Sequence, residues 1–582
     1  MLDTIKKLFA ILSKKQKKTT AILGVMILIG GVLETLGVSM ILPLATAILD
    51  VDTLAQNKYV KMVCETFSIK DMNGFIVFLL VTVILIFVIK NAYLLVLTYF
   101  QAKFVNHNQF MTVSYLMSEY LNRPYEFYLN ADLPTVFRTV DGDVPKVFTV
   151  LMEFIQLITE IVVALFLCVF LLIVDPAMTV FMGFILLIMT FIILKLLKPS
   201  LSSMGNESQE LQSQMGKWRL QSIYGIKDVK VLHKEEYFVK NFSKHSARTS
   251  QIQSTYTVLN NMPRLLIETM CIGGVLGYMA IYVAMGKNLS SLVSMITAFA
   301  VAAVRLMPSV NRINGHITNI AFFKPSVDYI YETIDFEDYV REGHYVGRIE
   351  TKVDDIPIEN EIALKNITYV YPETDKKILD DATMIIPLGK SAGVMGPSGA
   401  GKTTAIDILL GLLQVRSGEI TCGGVNIFDN YPAWLSHIGY IPQSIYLTDD
   451  SIKENIAFGV AKEDIDDERI WQVIKEAQLT DYVSELPDGI NTTIGDRGIR
   501  MSGGQRQRLG IARALYHDPE ILVFDEATSA LDNDTESAIM EAIENFHGRK
   551  TLIIIAHRLR TIENCDLIFK VENGKIQETS LK

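Results

Sequence analysis

The sequence predicts two parts, a bundle of six membrane-spanning helices followed by an α/β domain with a largely parallel sheet. Hydrophobic residues make up 50% of the 582 positions, and they are concentrated in residues 1–310. The apolar runs in that part reach the length of about 20 residues that a helix needs to cross a bilayer. Beyond position 360, short β-branched runs alternate with helical stretches, which is typical of a parallel sheet.

The first part contains six apolar runs that we interpret as transmembrane helices. A lysine-rich N-terminus precedes the first run and predicts that this end lies on the cytoplasmic side. The sixth run then returns the chain to the same side, where the second part begins. The predicted spans are residues 20–48, 74–100, 150–174, 176–198, 262–286 and 290–310.

Two long polar stretches, 101–149 and 199–261, have helical periodicity and few Gly or Pro residues. We interpret them as cytoplasmic extensions of the membrane helices. Short helices near Asp132–Asp143 and Tyr224–Glu235 are expected to touch the second domain. The predicted domain boundaries are 1–320 for the transmembrane domain, 321–360 for a linker and 361–582 for the α/β domain.

The overall composition excludes several classes of protein. A net charge of −10 provides no basic field for nucleic acid. The five cysteines are odd in number and form no CxxC pair, so we interpret them as reduced packing residues rather than a disulfide or zinc framework.

A phosphate-binding motif follows the predicted strand 391–395. The segment 396–403 fits G-x-x-x-x-G-K-[ST] and leads into a predicted helix, the context that this motif requires. Its glycines let backbone N–H groups surround phosphate oxygens, and the helix N-terminus adds partial positive charge. Lys402 is expected to neutralise the β- and γ-phosphates, and Thr403 to bind Mg²⁺. The candidate ATP-binding residues here are Gly396, Ser398, Gly399, Gly401, Lys402, Thr403 and Thr404.

A second motif places two acids at the end of an apolar strand. Residues 521–524 are Ile-Leu-Val-Phe, and Asp525 and Glu526 follow them. Asp525 is expected to hold Mg²⁺ and Glu526 to polarise the attacking water, because phosphoryl transfer depends on positioning and charge stabilisation. Further predicted strands are 362–369, 382–386, 437–441 and 551–555.

Residues 501–505, Met-Ser-Gly-Gly-Gln, resemble the ABC-family signature LSGGQ with Met for Leu. The resemblance covers the whole chain and implies an exporter-type half-transporter, with six membrane helices and a P-loop nucleotide-binding domain that uses ATP and Mg²⁺. It implies that Ser502 and Gly504 close over the γ-phosphate held by a second subunit, most simply an identical copy. It also gives roles to Tyr371 (adenine stacking, with Tyr369 as the alternative), Gln443 (Mg²⁺ and catalysis), Asp532 (dimer-interface loop) and His557 (γ-phosphate).

Ionisable residues inside the predicted membrane helices are functional candidates, because their burial in lipid is costly. The cations Lys90, Arg264, Arg305 and Arg312 would suit an anionic headgroup such as a pyrophosphate if they line one cavity. The alternative is that they form internal salt bridges, for instance Arg264 with Glu268 at i,i+4, or snorkel at helix ends.

A narrower resemblance supports the first interpretation. The stretches 34–43, 305–312, 440–447 and 6–13 resemble those of the PglK family, the bacterial flippases of lipid-linked oligosaccharides. That family has basic residues in its translocation cavity, and Lys90 stands where it has an arginine. The resemblance implies outward flipping of a polyprenyl-pyrophosphate-linked glycan across the bacterial inner membrane. It also implies a short external helix, for which Ala55–Phe67 is the candidate and a plain loop the alternative.

Two other interpretations remain open at this point. One is an exporter of other lipids, drugs or peptides, although no peptidase-like Cys/His extension precedes the first helix. The other is a membrane-anchored ATPase that regulates a partner without transport.

Overall fold

The computed structural model describes residues 2–40, 62, 65–67, 69, 72–174, 176–284, 289–334, 358–372, 374–495, 498–526, 540–541, 543–556 and 561–580. Within these ranges the side chains of 289–306 and of scattered helical positions are not described. The chain divides into two compact units. The first, here the membrane unit, comprises 1–122 and 131–348, and the second, the ATP-site unit, comprises 123–130 and 349–582.

The membrane unit is helical throughout its described part. Several of its helices are far longer than a bilayer requires, because the polar stretches continue the apolar ones without a break. A single π-helical turn, Thr139–Asp143, joins two of them. The helices are α1 Leu2–Ile11, α2 Lys14–Ser39, α3 Met72–Leu121, α5 Leu133–Arg138, α6 Val144–Val174, α7 Pro176–Tyr224, α8 Ile226–Val231, α9 Glu235–Ala284 and α10 Leu289–Thr333, with α4 Tyr125–Asn130 belonging to the other unit.

Four helical segments are long and apolar enough to cross a membrane within the described residues. They are Lys14–Gly37, Asn73–Leu121, Leu133–Ile173 and Thr179–Tyr224, and they contain most of the first four predicted spans. The fifth and sixth predicted spans lie on α9 and α10, whose side chains are described only in part. Most of the predicted external helix, Ala55–Phe67, lies outside the described residues.

Large apolar side chains cover the outer surface of these helices. Val81, Ile84 and Val88 on α3, and Leu187 and Phe191 on α7, are all more than half exposed. Contiguous apolar surface of this kind indicates contact with a nonaqueous environment or a partner. Together with the length of the helices, it is the surface expected of a domain that is surrounded by lipid.

One sequence prediction about the connections was wrong. Residues 321–333, assigned to a linker, continue helix α10 without interruption, because their apolar face packs into the membrane unit. The short segment 123–130 belongs to the ATP-site unit, while helix α5 and the π-helical turn belong to the membrane unit, where Arg138 binds Asp143 at 2.9 Å. The contacts expected of Asp132–Asp143 and Tyr224–Glu235 with the second domain stay predictions.

The described residues of the ATP-site unit form two β-sheets rather than the single sheet that the sequence predicts. The six-stranded sheet has the order β10-β9-β3-β8-β7-β6 and is parallel except for β10, and the four-stranded antiparallel sheet has the order β2-β1-β4-β5. The strands are β1 Glu361–Val370, β2 Lys377–Pro387, β3 Ser391–Met395, β4 Ser417–Cys422, β5 Val425–Asn426, β6 Ile438–Ile441, β7 Ile521–Asp525, β8 Thr551–Ile555, β9 Leu567–Glu572 and β10 Lys575–Thr579. The helices are α11 Lys402–Leu409, α12 Tyr431–Ser436, α13 Ile452–Ile456, α14 Asp467–Glu476, α15 Thr480–Ser484 and α16 Gly503–Leu515.

Two apolar clusters stabilise this unit. One packs strands β1–β3 against α11 and α12, and the other packs the opposite face of the parallel sheet against α13–α16. The carboxyl ends of strands β3 and β7 carry the two nucleotide motifs. Strand β7 is fully buried, and β3 is buried except for Met395, which is partly buried. The motifs therefore lie at one edge of the sheet, the usual position of a ligand site in an open α/β sheet.

Candidate functional site

The phosphate-binding loop connects β3 to α11. Gly396, Gly399 and Gly401 have φ angles of +154°, +76° and +100°, which other residues rarely adopt. A Cβ atom on Gly396 would lie 2.3 Å from the carbonyl oxygen of Val571. Lys402 is buried and donates hydrogen bonds to the carbonyl oxygens of Gly396 and Pro397, at 3.1 and 3.2 Å.

A cavity of about 420 Å³ lies beside this loop. It is lined by Tyr371, Ile378, Ser398, Gly399, Gly401, Lys402, Thr403, Thr404, Gln443 and Glu526. It thus brings together most of the residues that the sequence assigns to nucleotide binding and hydrolysis. Gly396 and Asp525 adjoin it through the loop and through β7.

Tyr369 in β1 and Tyr371, which follows the end of this strand, have different environments. Tyr371 lines the cavity, and its hydroxyl lies 3.0 Å from the hydroxyl of Thr404. Tyr369 is fully buried, packs edge-on against Tyr371 and donates to Glu126 at 3.3 Å. Tyr371 is therefore the aromatic side chain in position to contact a nucleotide base.

The acids at the end of β7 lie beside the loop. Asp525 is buried. Burial is the main cause that raises its pKa, and the charge of Glu526 adds to it. Hydrogen bonds from Tyr440 and Thr403 and the charge of Lys402 partly offset this increase. Its Oδ2 accepts from the Tyr440 hydroxyl at 3.4 Å, while its Oδ1 has no hydrogen-bond partner among the described residues. A buried carboxylate oxygen without a donor, close to a threonine hydroxyl, is a donor set that suits Mg²⁺.

Glu526 and Gln443 form a pair at the mouth of the cavity. The amide nitrogen of Gln443 donates to Oε2 of Glu526 at 2.7 Å. Glu526 has a φ angle of +50°, an unusual conformation for this residue type, and its backbone N–H bonds to the carbonyl of Ile555. This backbone arrangement turns the Glu526 side chain out of the strand and toward the cavity.

The signature segment forms the start of helix α16. Ser502 caps the helix by accepting from the N–H of Gln505 at 3.2 Å, and the Gln505 side chain accepts from the N–H of Ser502 at 2.8 Å. Met501 is buried in the apolar cluster, which explains why an apolar residue of leucine size is accommodated there. Within the described residues, neither Ser502 nor Gly504 is part of the cavity lining around the loop.

Two predicted site residues, Asp532 and His557, lie outside the described residues. Their roles therefore stay predictions from the family resemblance. Residues 496–497, just before the signature, also lie outside the described residues.

Sequence reasoning missed one acid near this site. Asp407 lies in α11, four residues after Thr403, and burial together with the charge of Asp525 raises its pKa to about 6. The signal that was available is an acid in an otherwise apolar helix, Lys-Thr-Thr-Ala-Ile-Asp-Ile-Leu. Such a residue is either buried against polar partners or placed at a site.

It also missed Glu126, the residue by which α4 attaches to the ATP-site unit. Its Oε1 accepts from the backbone N–H of Gln414 at 3.0 Å and from the hydroxyl of Tyr369 at 3.3 Å. Tyr369 packs on Tyr371, so α4 is one residue removed from the cavity wall. No sequence pattern distinguishes Glu126, because its partners are more than 240 positions away.

The four cations proposed to line a membrane cavity do not form a set of uncompensated charges. Lys90 is buried and pairs with Glu34 at 2.9 Å. Arg312 pairs with Glu160 at 2.6 Å, although its side chain is 54% exposed. Arg264 is exposed, and no ion pair with Glu268 is present among the described residues.

The side chain of Arg305 lies outside the described part. Two of the four expected cations thus face carboxylates. The reason is that a charged side chain between apolar helices is stabilised by an oppositely charged side chain on a neighbouring helix.

A second polar contact joins the same pair of helices as Arg312 and Glu160. His316 Nδ1 lies 2.5 Å from Oε2 of Glu153, and Asn319 donates to Oε1 of Glu153 at 2.7 Å. Arg312, His316 and Asn319 follow one another at i, i+4 and i+7 and so share one face of α10. Helices α6 and α10 are therefore held together by a line of polar contacts rather than by apolar packing alone.

The fold and the cavity define a P-loop nucleotide-binding domain that follows a helical membrane domain. Two family models match the chain, the "ABC transporter" family over residues 379–529 and the "ABC transporter transmembrane region" over residues 39–304. The two matches together cover most of the chain, which belongs to the ABC transporter family and has the fold of the exporter type.

Similar proteins agree with this family. The chain is 31% identical to an "ATP-dependent lipid A-core flippase" of Methylobacillus flagellatus, over 66% of this chain and 64% of that protein, which is less than two thirds of its length. It is 29% identical to a protein of the same name from Ralstonia nicotianae, over 79% of this chain and 76% of that one. A solved structure of "a bacterial Atm1-family ABC exporter with ATP bound" matches with a TM-score of 0.73 at 20% identity, over 97% of this chain and 95% of that chain, which shows the shared fold.

Proposed function

We propose that this chain is one half of a homodimeric exporter that hydrolyses ATP to flip a lipid-linked oligosaccharide across the bacterial inner membrane. The observation that carries the ATPase part is the cavity in which the phosphate loop, Gln443 and Glu526 meet beside Asp525. In this proposal the N-terminus and the ATP-site unit lie on the cytoplasmic side, as the N-terminal lysines indicate.

The chemistry assigned to the cavity is in-line attack of water on the γ-phosphate of ATP. The loop N–H groups and Lys402 bind the phosphates, and Tyr371 stacks on adenine. Thr403, Asp525 and Gln443 would hold Mg²⁺, which supplies charge neutralisation at the phosphates when bound. Glu526 accepts a hydrogen bond from the attacking water and orients it, and Gln443 fixes the Glu526 carboxylate in that position.

A second copy completes each site in this proposal. The capped N-terminus of α16 presents Ser502 and Gly504 as donors at the positive end of a helix dipole, a suitable site for phosphate. Support comes from the family resemblance and from the absence of both residues from the described lining of the cavity in the same chain. ATP then stabilises the dimer of ATP-site units, and hydrolysis releases it, which gives the membrane unit two arrangements.

The lipid substrate is supported by two observations and one physical argument. Relatives of this chain are named lipid A-core flippases. The membrane unit holds Lys90 and Arg312 in ion pairs with Glu34 and Glu160. An incoming pyrophosphate has the same sign of charge as these carboxylates, and arginine binds phosphate through two parallel hydrogen bonds, so the anionic headgroup can replace the acid at Arg312.

The ATPase and transport parts are tested with Glu526→Gln in proteoliposomes. We expect retained ATP binding, a trapped dimer and hydrolysis that falls by about 10² or more, because the water loses its orienting carboxylate. Glu485→Gln is the matched control, since it removes the same charge from an exposed position. A Glu526→Gln protein that hydrolyses ATP at the rate of the control contradicts the assignment.

The substrate is tested by offering the purified protein two lipids. The proposal expects outward flipping of, and ATPase stimulation by, a polyprenyl-pyrophosphate-linked oligosaccharide, with loss in Arg312→Gln. The second candidate is a phosphorylated glycolipid of the lipid A-core type, which the names of the relatives favour. Transport of the lipid A-core type alone would contradict the lipid-linked oligosaccharide as substrate and support this second candidate.

Stimulation only by uncharged drugs or peptides would refute both lipid substrates. ATP hydrolysis without movement of any lipid into or out of sealed vesicles would instead favour an ATPase that regulates a partner.

A further inference from the structure

A cleft of about 380 Å³ opens in the membrane unit between α1, α7 and α10. Its lining combines two kinds of side chain. Phe191, Ile317 and Ile320 are apolar, while Lys195, Lys198 and Lys324 are cationic. This cleft is separate from the ion pairs of Lys90 and Arg312.

The two kinds of side chain are sorted along the cleft. Helices α7 and α10 run parallel, because the side chains of Thr190 and Asn314 meet at 3.5 Å and Gly205, further along α7, packs against Phe322, further along α10. The apolar residues therefore come first along both helices and the lysines after them. The cleft has an apolar end and a basic end, the polarity of a lipid acyl chain and its headgroup.

The basic end carries an excess of positive charge. Lys324 forms an ion pair with Asp328, which also binds Lys7 of α1 at 2.5 Å. Lys195 and Lys198 are exposed and have no ion pair within the described residues. Lys7 also pairs with Asp3 at 3.5 Å, so the two carboxylates of Asp3 and Asp328 balance only Lys7 and Lys324. The charges of Lys195 and Lys198 remain in excess, so an anion is favoured here over a neutral group.

The lysines also lie at the depth where headgroups are found. The apolar run of α7, residues 176–198, ends with Lys195 and Lys198. Phe191 is 67% and Leu196 71% exposed, so this face of α7 meets the surrounding medium and not the interior of the bundle. A basic pocket between membrane helices at the interface is a recognised form of anionic-lipid site.

We propose that this cleft binds an acidic phospholipid from the surrounding bilayer, with the phosphate at Lys195, Lys198 and Lys324 and an acyl chain against Phe191, Ile317 and Ile320. The bound lipid bridges α7 and α10, which both belong to the membrane unit. It is a resident of the bilayer and not the transported molecule.

The test measures binding of phosphatidylglycerol and phosphatidylcholine to the purified full chain by native mass spectrometry. The wild type is expected to prefer phosphatidylglycerol. Lys195→Gln/Lys198→Gln is expected to reduce that preference by roughly 30-fold, because each interfacial lysine contributes a factor of about five. Lys195→Arg/Lys198→Arg is expected to retain it.

Lys14→Gln/Lys15→Gln is the matched control, since it removes the same charge from exposed positions of α2 outside the cleft lining. All variants change exposed side chains, and an unchanged melting temperature shows that each remains folded. The proposal is overturned if the wild type has no preference, if the cleft variant keeps it, or if the control loses as much.

Crosslinking distinguishes lipid from protein as the occupant. Lys198→Cys is expected to give no crosslink between copies in vesicles, and an efficient crosslink would show that a second copy covers the cleft instead. Because the readout is lipid binding, a failure of this proposal is distinguishable from a failure of ATP hydrolysis or transport.

Discussion

Asp407→Asn is predicted to stabilise the ATP-site unit in a pH-dependent way. Burial, followed by the charge of Asp525, raises the pKa of Asp407 from 3.8 to about 6. The folded unit therefore binds this proton more tightly than the unfolded chain does. Ionisation of Asp407 costs stability progressively as the pH rises from about 4 to about 6, and the cost is constant above that range.

The magnitude follows from the two pKa values. At 1.36 kcal/mol per pKa unit, the cost of the charged carboxylate is about 3 kcal/mol at pH 8 and below about 1 kcal/mol at pH 4. These are upper limits, because Asp407 is only partly buried and solvent screens part of its interaction with Asp525. Asparagine has nearly the same shape and no charge, so it is expected to remove this cost.

The assay is urea unfolding of the full chain in a buffer with a chelator, followed by the fluorescence of Trp434. This residue is fully buried and its indole N–H donates to the carbonyl of Leu409 at 3.3 Å, at the end of the helix that contains Asp407. Trp218→Phe and Trp471→Phe remove the other two tryptophans from the signal.

Asp429→Asn serves as the control, because it removes one negative charge from an exposed position of the same unit. The stabilisation by Asp407→Asn is expected to be largest at pH 8 and to vanish toward pH 4. Equal stabilisation at both pH values, or the same pH dependence in the control, would refute the reasoning from burial and Asp525.

Three further predictions concern contacts inside the membrane unit and inside the ATP-site unit. Lys90→Met removes the buried ion pair between Lys90 and Glu34 and is expected to destabilise the membrane unit by about 3–5 kcal/mol, while Lys90→Met/Glu34→Leu recovers most of this, as melting in detergent will show. Gly205→Ala places a Cβ 2.1 Å from a backbone oxygen of α10 and is expected to cost about 1–3 kcal/mol, whereas Gly183→Ala meets no atom within 4 Å and is its control. Glu126→Ala removes two hydrogen bonds and is expected to lower lipid-stimulated ATPase activity with little change in ATP affinity; an unchanged stimulation would contradict a coupling role for α4.

The nucleotide motifs illustrate what sequence alone predicts well. These motifs are local patterns: the segment 396–403, the strand before Asp525 and the segment 501–505. In each case the flanking residues also predict the strand or helix in which the motif lies. Apolar runs are equally local, because the length of a membrane span follows from the thickness of the bilayer. For these features the prediction needs no knowledge of which elements pack together.

Long-range pairing set the limit of the sequence predictions. The sequence does not predict strands β4, β5, β9 and β10. β4, β5 and β10 are short and largely polar, and β9 is a short apolar run, so each is recognised as a strand only through the neighbours to which it bonds. The same limit applies to the choice between Tyr369 and Tyr371, two aromatic residues that lie two positions apart at the end of β1. Only the burial of Tyr369 against Glu126 distinguishes them.

The sequence by itself determined the order of the two domains, the membrane spans that the described residues cover and the chemistry of the phosphate loop. Tertiary structure alone decided that Lys90 and Arg312 face carboxylates, that α4 joins the ATP-site unit and that lysines of α7 and α10 share one cleft. The physical reason is that helical and strand periodicity fixes which face a residue occupies. The partner that this face meets depends on contacts between segments tens to hundreds of positions apart.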